Sequence, residues 1–307
     1  MRQIPKNAIL YEPFETEKIK GCVQIVHGMC EHQLRYKELA AYLNENGYAV
    51  LTSDLRGHGE NITLESDLGY FGENALNLLV GDVHELTTFL KSRYTDVPYF
   101  LLGHSMGTLI CTNYFRRYDN FIDGLFLSGM PGNNSASSIA KLLIKIIRSF
   151  KGDYYRSSLL NSLVNGSFSK KFKKEGSDFA WISKDRENIR NYEKDPKCGF
   201  VFTLNGFDTL MDLLQGTYSG SWNRKNPGVP IRLMSGEDDP CMGSKSNFMR
   251  SVKLFKNAGY SDVDYILYPG QRHEIFNDTE KETAMKYLVS QLDEAAEKKA
   301  GRSRSTT

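Results

Sequence analysis

The chain has 307 residues, of which 40% are apolar and 25% charged, and a formal charge of +2. That balance excludes an intrinsically disordered chain and the strongly basic character of a nucleic-acid binder. No apolar run is long enough to cross a bilayer, and residues 1–20 lack the apolar core of a secretory signal.

Residues 22–26 form a short apolar run that reads as a buried strand. A helical pattern follows over 34–46, closed by Gly47 as a left-handed cap residue. Residues 49–52 read as the next strand, 74–93 as a helix, 99–102 as a strand and 108–117 as a helix. A strand at 125–127 ends this first block. The rhythm resumes with strands at 231–234 and 263–267 and helices near 244–256 and 280–297. Strands alternating with helices predict a mostly parallel sheet covered on both faces.

Residues 131–230 break the alternation. Pro131-Gly132-Asn133-Asn134 is a turn signal. Ile139, Leu142, Leu143, Ile146, Ile147 and Phe150 then recur at helical spacing, with Ser138 expected as the cap and Gly152 as the stop. The expected organisation is a core of 1–130 and 231–297, a helical lid at 131–230, and a disordered tail at 298–307. The lid is rich in aromatics, which suits an apolar ligand. Its basic run Lys170-Lys171-Phe172-Lys173-Lys174 reads as a solvated turn or a lipid-headgroup patch, and the apolar helix fits packing or a transient membrane-surface contact.

Cys22, Cys30, Cys111, Cys198 and Cys241 are scattered and never form a C-x-x-C pair. They read as free thiols in a reducing compartment, with a cytoplasmic location expected and neither disulfide frame nor zinc site.

Gly103-His104-Ser105-Met106-Gly107 sits between a strand and a helix. A serine at such a turn presents its hydroxyl on a strained backbone, and the flanking glycines let strand and helix pass closely. A serine hydroxyl needs a base, and the base needs an orienting acid. Asp239, in Gly236-Glu237-Asp238-Asp239-Pro240, and His273 follow in the required order, each just after a strand. Asp238 competes with Asp239, and the proline after Asp239 favours the latter. The backbone N–H groups of Met106 and Met29 are expected to hold an oxyanion. Asp54, His58 and His104 read as structural, and Cys30 and Cys241 as bystanders near the site.

These segments, with His27-Gly28-Met29-Cys30-Glu31-His32-Gln33-Leu34-Arg35-Tyr36 and Asp54-Leu55-Arg56-Gly57-His58-Gly59, resemble the monoacylglycerol lipase and lysophospholipase branch of the α/β-hydrolases, also labelled serine aminopeptidase-like. The resemblance implies the α/β-hydrolase fold, a Ser–Asp–His mechanism without cofactor or metal, and a small-molecule acyl ester as substrate. It also implies that Glu31 and Arg35 help hold the substrate's polar head, against the alternative of an ion pair that fixes the loop. Two departures stand out. Phe276 occupies the position of a further glycerol-binding histidine, and Thr108 replaces a second glycine after the elbow. An aminopeptidase, using Glu175, Asp178, Glu187 or Glu193 for a substrate ammonium, and a thioesterase remain alternatives on the same triad. A non-catalytic binding protein on this fold is the rival from another class.

Overall fold

A computed structural model describes residues 3–15, 19–133, 137–164 and 166–305. Seven strands form one sheet: β1 (Ala8–Tyr11), β2 (Gly21–Val26), β3 (Tyr48–Ser53), β4 (Tyr99–His104), β5 (Gly124–Ser128), β6 (Ile231–Gly236) and β7 (Val263–Tyr268). Their spatial order is β1-β3-β2-β4-β5-β6-β7, and every pairing but β1 with β3 is parallel. This is the mostly parallel α/β-hydrolase sheet that the sequence implies. The antiparallel edge strand β1 is an addition. It is a short apolar run, Ala8-Ile9-Leu10-Tyr11, whose four residues are only half-buried at the sheet edge.

Alternation along the strands divides the core between two faces. Val23, Ile25, Val50, Phe100, Leu102 and Phe126 point to one side, against α1 (Lys37–Glu45) and α10 (Lys281–Ser305). Cys22, Val26, Leu51, Leu101, Leu125 and Leu127 point to the other, against α2 (Ala75–Arg93), α3 (Met106–Tyr118) and α9 (Lys245–Asn257). Side chains on a strand alternate in direction, so continuously apolar strands need helices on both faces.

Between β5 and β6 the described chain is helical: α4 (Ser137–Lys151), α5 (Ser158–Val164), α6 (Gly166–Lys171), α7 (Arg186–Lys194) and α8 (Leu204–Ser219). Ser138 is the second residue of α4 rather than its cap, and Asn134 lies outside the described residues. Gly152 adopts φ +76° just after the helix, as a C-terminal stop requires. The apolar arc of α4 is wider than the face it buries. Ile144 is buried, and Leu143 and Ile147 pack on the core. Ile139, Leu142, Ile146 and Phe150 face outward, with Leu142 61% and Phe150 83% exposed.

The tail expected to be disordered from residue 298 is instead helical to Ser305, as the end of α10. Specific pairs hold it there. Lys298 bonds Asp262 at 2.9 Å and Glu294 at 2.7 Å, and Lys299 bonds Asp123 at 2.7 Å. Among the described residues no helix is long and apolar enough to cross a membrane.

Two glycines make opposite demands. A Cβ at Gly107 would lie 2.1 Å from the Val26 carbonyl oxygen, whereas one at Gly81, on α2, would meet nothing within 4 Å. Gly107→Ala should therefore destabilise the protein by about 3 kcal/mol or more. Gly81→Ala should stabilise it by about 1 kcal/mol. Denaturant unfolding of both variants checks this.

Candidate active site

Ser105 stands between β4 and α3 with φ +50° and ψ −121°. Its N–H donates to the Ser128 carbonyl at 2.9 Å. Its own carbonyl accepts from the Thr108 N–H at 2.8 Å and from the Thr108 hydroxyl at 2.6 Å. Thr108 thus braces the turn where the resemblance implies a glycine. The turn is tight on every side. A Cβ at Gly103 would sit 2.7 Å from the Gly107 carbonyl oxygen, and one at Gly28 would sit 3.0 Å from the Ser105 Cβ.

Asp239 and His273 come from the loops after β6 and β7, and both are buried. His273 Nδ1 lies 2.9 Å from Asp239 Oδ2. The same carboxylate accepts from the Ser235 hydroxyl at 3.0 Å and the Cys241 N–H at 2.8 Å. Asp238 takes no part in this; its N–H donates to the Gln271 carbonyl. Gly129, at φ +63°, makes room for the imidazole, since a Cβ there would be 3.0 Å from it. Two rings flank His273: His104 at 4.7 Å and Trp181 at 5.0 Å between centroids.

Burial alone would lower the His273 imidazole, but the bonded Asp239 carboxylate overrides it and raises the pKa. Burial likewise works against the Asp239 carboxylate, and its bonds to His273, Cys241 and Ser235 bring the pKa down. His104 has no such partner; burial and the His273 charge lower it to about 4. Burial and Asp239 push the Cys241 thiol up, opposed by a hydrogen bond with the Ser105 hydroxyl.

Ser105, Asp239, His273, Met29 and Met106 line one cavity of about 1460 Å³. Met106 opens α3, where helix N–H groups have no intrahelical acceptor. The loop carrying Met29 is held from several sides. Glu31 Oε1 accepts from the Gly28 N–H at 2.5 Å and the Tyr36 hydroxyl at 2.8 Å. His58 Nε2 accepts from the Cys30 N–H at 3.3 Å, and His27 Nε2 from the Leu55 N–H at 2.9 Å. Asp54 accepts from the N–H groups of Gln33 and Glu60. Asp54 and His58 thus knit together the loops after β2 and β3.

Arg35 lies off the cavity wall. It pairs with Glu31 at 3.3 Å and with Glu274, bonds Asn188 at 3.0 Å, and stacks on Tyr192 at 4.8 Å. Glu31 and Glu274 do line the cavity. Phe276 is buried in the core on the α1 and α10 face. Trp181, Ser235, Asn188 and Glu274 carry no sequence signal, because their roles arise only from what the fold places beside them. The insertion also braces the loop that carries His273: Arg272 bonds Glu175 at 3.0 Å, and the Glu274 N–H donates to the Ile182 carbonyl at 2.8 Å.

Residues 17–280 match the family model Hydrolase_4, described as serine aminopeptidase, S33. The chain belongs to this family. Within reach of it in sequence, a monoacylglycerol lipase of Mycolicibacterium smegmatis is 25% identical over 281 residues, covering 88% of this chain and 87% of that one. The monoglyceride lipase of Saccharomyces cerevisiae is 26% identical over 295 residues, covering 87% and 82%. A thermostable carboxyl esterase from Bacillus coagulans, solved with glycerol, superposes at a TM-score of 0.84 with 25% identity, covering 95% of each chain.

The balance of burial and charge at His273 is open to measurement. Its NMR titration should have a midpoint above the ordinary 6.5, with His104 near 4. In Asp239→Asn burial acts without the carboxylate charge, so the His273 midpoint should fall below 6.5. An unchanged midpoint would contradict the assignment of the shift to Asp239.

Proposed function

We propose that this chain is a serine hydrolase that cleaves lipid-like or medium-chain acyl esters through an acyl-enzyme on Ser105. Family, fold and lipase-named relatives make it an ester-hydrolysing enzyme. The observation that carries the residue-level reading is the buried bond between His273 Nδ1 and Asp239 Oδ2 in the cavity that exposes Ser105.

With Nδ1 spent on Asp239, Nε2 is left to take the Ser105 proton as the hydroxyl attacks the ester carbonyl. Asp239 fixes the tautomer and stabilises the imidazolium. The N–H groups of Met29 and Met106 receive the developing oxyanion. His273 then protonates the leaving alcohol, and water repeats the steps on the acyl-enzyme.

The cavity divides by polarity. Leu143, Val164, Leu210 and Met211 supply an apolar wall for an acyl chain. Glu31 and Glu274 supply a polar floor. Glu31 Oε2 is buried and paired with Arg35 Nε at 3.3 Å, which holds the carboxylate in place at the cavity wall. Arg35 positions this carboxylate.

The helical insertion acts as a lid that meets lipid. The outward row of α4 presents apolar side chains beside the exposed Lys145 and Lys151 of the same helix, and Leu159 and Leu163 of α5 are also exposed. That is the composition of a helix lying in a membrane interface. The five free cysteines support a reducing compartment such as the cytoplasm.

One comparison tests the reading: hydrolysis of p-nitrophenyl butyrate beside a long-chain monoacylglycerol in vesicles. Ser105→Ala should lose on the order of 10⁴-fold on both. Combined Leu142→Ser, Ile146→Ser and Phe150→Ser should lose rate several-fold more on vesicles than on the soluble ester. Retained activity in Ser105→Ala ends the assignment, and equal loss on both substrates ends the membrane role. Faster cleavage of a proline-naphthylamide than of the butyrate would instead favour an aminopeptidase.

A further inference from the structure

The chain between α7 and α8 folds back onto the oxyanion loop. The Gly199 N–H donates to the Cys30 carbonyl at 3.0 Å, and the Tyr192 hydroxyl donates to the same oxygen at 2.8 Å. Beside this contact, His32, Asp195 and Cys198 bring an imidazole nitrogen, a carboxylate oxygen and a sulfur within 4.8 Å of one another. His32 Nε2 lies 2.8 Å from Asp195 Oδ2. The second Asp195 oxygen accepts from the Lys197 N–H at 2.9 Å, and the Cys198 N–H donates to the Asp195 carbonyl at 2.9 Å. This turn sets carboxylate and thiol on one side, toward His32. His32 and Cys198 are buried, whereas the Asp195 side chain is 33% exposed and leaves a path to solvent.

We propose that His32, Asp195 and Cys198 bind a borderline-soft divalent cation, best matched by zinc, that staples the helical insertion to the oxyanion loop. Mixed nitrogen, oxygen and sulfur donors suit zinc and disfavour magnesium or calcium, which take oxygen alone. Three protein ligands leave the fourth tetrahedral position for water, on the side where Asp195 is exposed. The surroundings suit a dication. Arg35 is the nearby positive charge, and Glu31 and Glu274 both pair with it. Asp195 and a Cys198 thiolate therefore add net negative charge.

Cysteine ligates zinc as the thiolate, so the Cys198 thiol gives up its proton on binding. Zinc forms the Zn–S bond as that proton leaves to solvent. Because binding releases that proton, affinity rises with pH. No C-x-x-C or H-x-x-x-H pair marks the site, because its ligands lie 163 residues apart in the chain. This is why the sequence reading expects no metal.

A second cluster, Asp239, Cys241 and His273, brings its donor atoms equally close, within 4.8 Å of one another. It is the competing site, and it is the more enclosed of the two, with Asp239 and His273 both 2% exposed. The test uses the full chain, stripped with chelator and dialysed against micromolar Zn²⁺. The wild type should bind one equivalent. Cys198→Ser should weaken binding about ten-fold or more, and Cys241→Ser should not. Zinc should raise the Tm of the wild type and of Cys241→Ser but not that of Cys198→Ser. Circular dichroism checks that each variant folds. If Cys198→Ser does not, Asp195→Asn, at the half-exposed ligand, takes its place with the same expected loss. Substituting Co²⁺ should give a thiolate-to-cobalt absorption band that disappears with Cys198. No bound zinc in the wild type, retention by the Cys198 and Asp195 variants, or loss in Cys241→Ser would each overturn the proposal.

Discussion

The approach of α3 to β2 at Gly107 is the constraint on which the site depends. No side chain fits there, because the Val26 carbonyl oxygen occupies the space a Cβ would need. That approach lets β4 turn into α3 within one residue, and that residue is Ser105 at φ +50°. Such a backbone costs about 1–3 kcal/mol in a non-glycine residue. It persists because its neighbours over-determine it: the Ser105 N–H is bonded to β5, its carbonyl to Thr108, and Gly28 closes over its Cβ. The same packing brings the loop after β2, with Met29, to the cavity that Ser105 lines.

Charge is distributed with equal economy. His27, His58, His104 and His273 are all buried, and burial acts to lower the pKa of each. Three of them end below the ordinary value and serve as neutral hydrogen-bonding or packing groups. His58 Nε2 can accept from Cys30 because it is neutral. Of these four, His273 ends above, because it alone among them has a carboxylate directly bonded to its ring. The same residue type thus ends on either side of its ordinary pKa, separated by a single contact.

The strands and flanking helices were legible from sequence because buried parallel strands are apolar throughout and end in turn residues. The Ser105 elbow was legible because only glycines fit around it. Asp239 and His273 followed from their places after β6 and β7. Other features depend largely on distant partners and leave only a weak local trace. The strand β1 is four half-buried residues at an edge. The end of α10 is polar, and it is helical because Lys298 and Lys299 find Asp262, Glu294 and Asp123. The spacing of α4 shows that it is amphipathic but not that its apolar arc exceeds the surface available to bury it. Trp181 against His273, and Arg35 held among Glu31, Glu274 and Asn188, are products of how the insertion folds over the sheet.

The account rests on one serine made nucleophilic by one imidazole. Mapping a fluorophosphonate label by mass spectrometry of the digested protein tests this most directly. The account predicts a single phosphonylated peptide carrying Ser105, formed orders of magnitude more slowly when His273 is replaced by glutamine. A label on another residue, or one formed on Ser105 at an undiminished rate without His273, would contradict it.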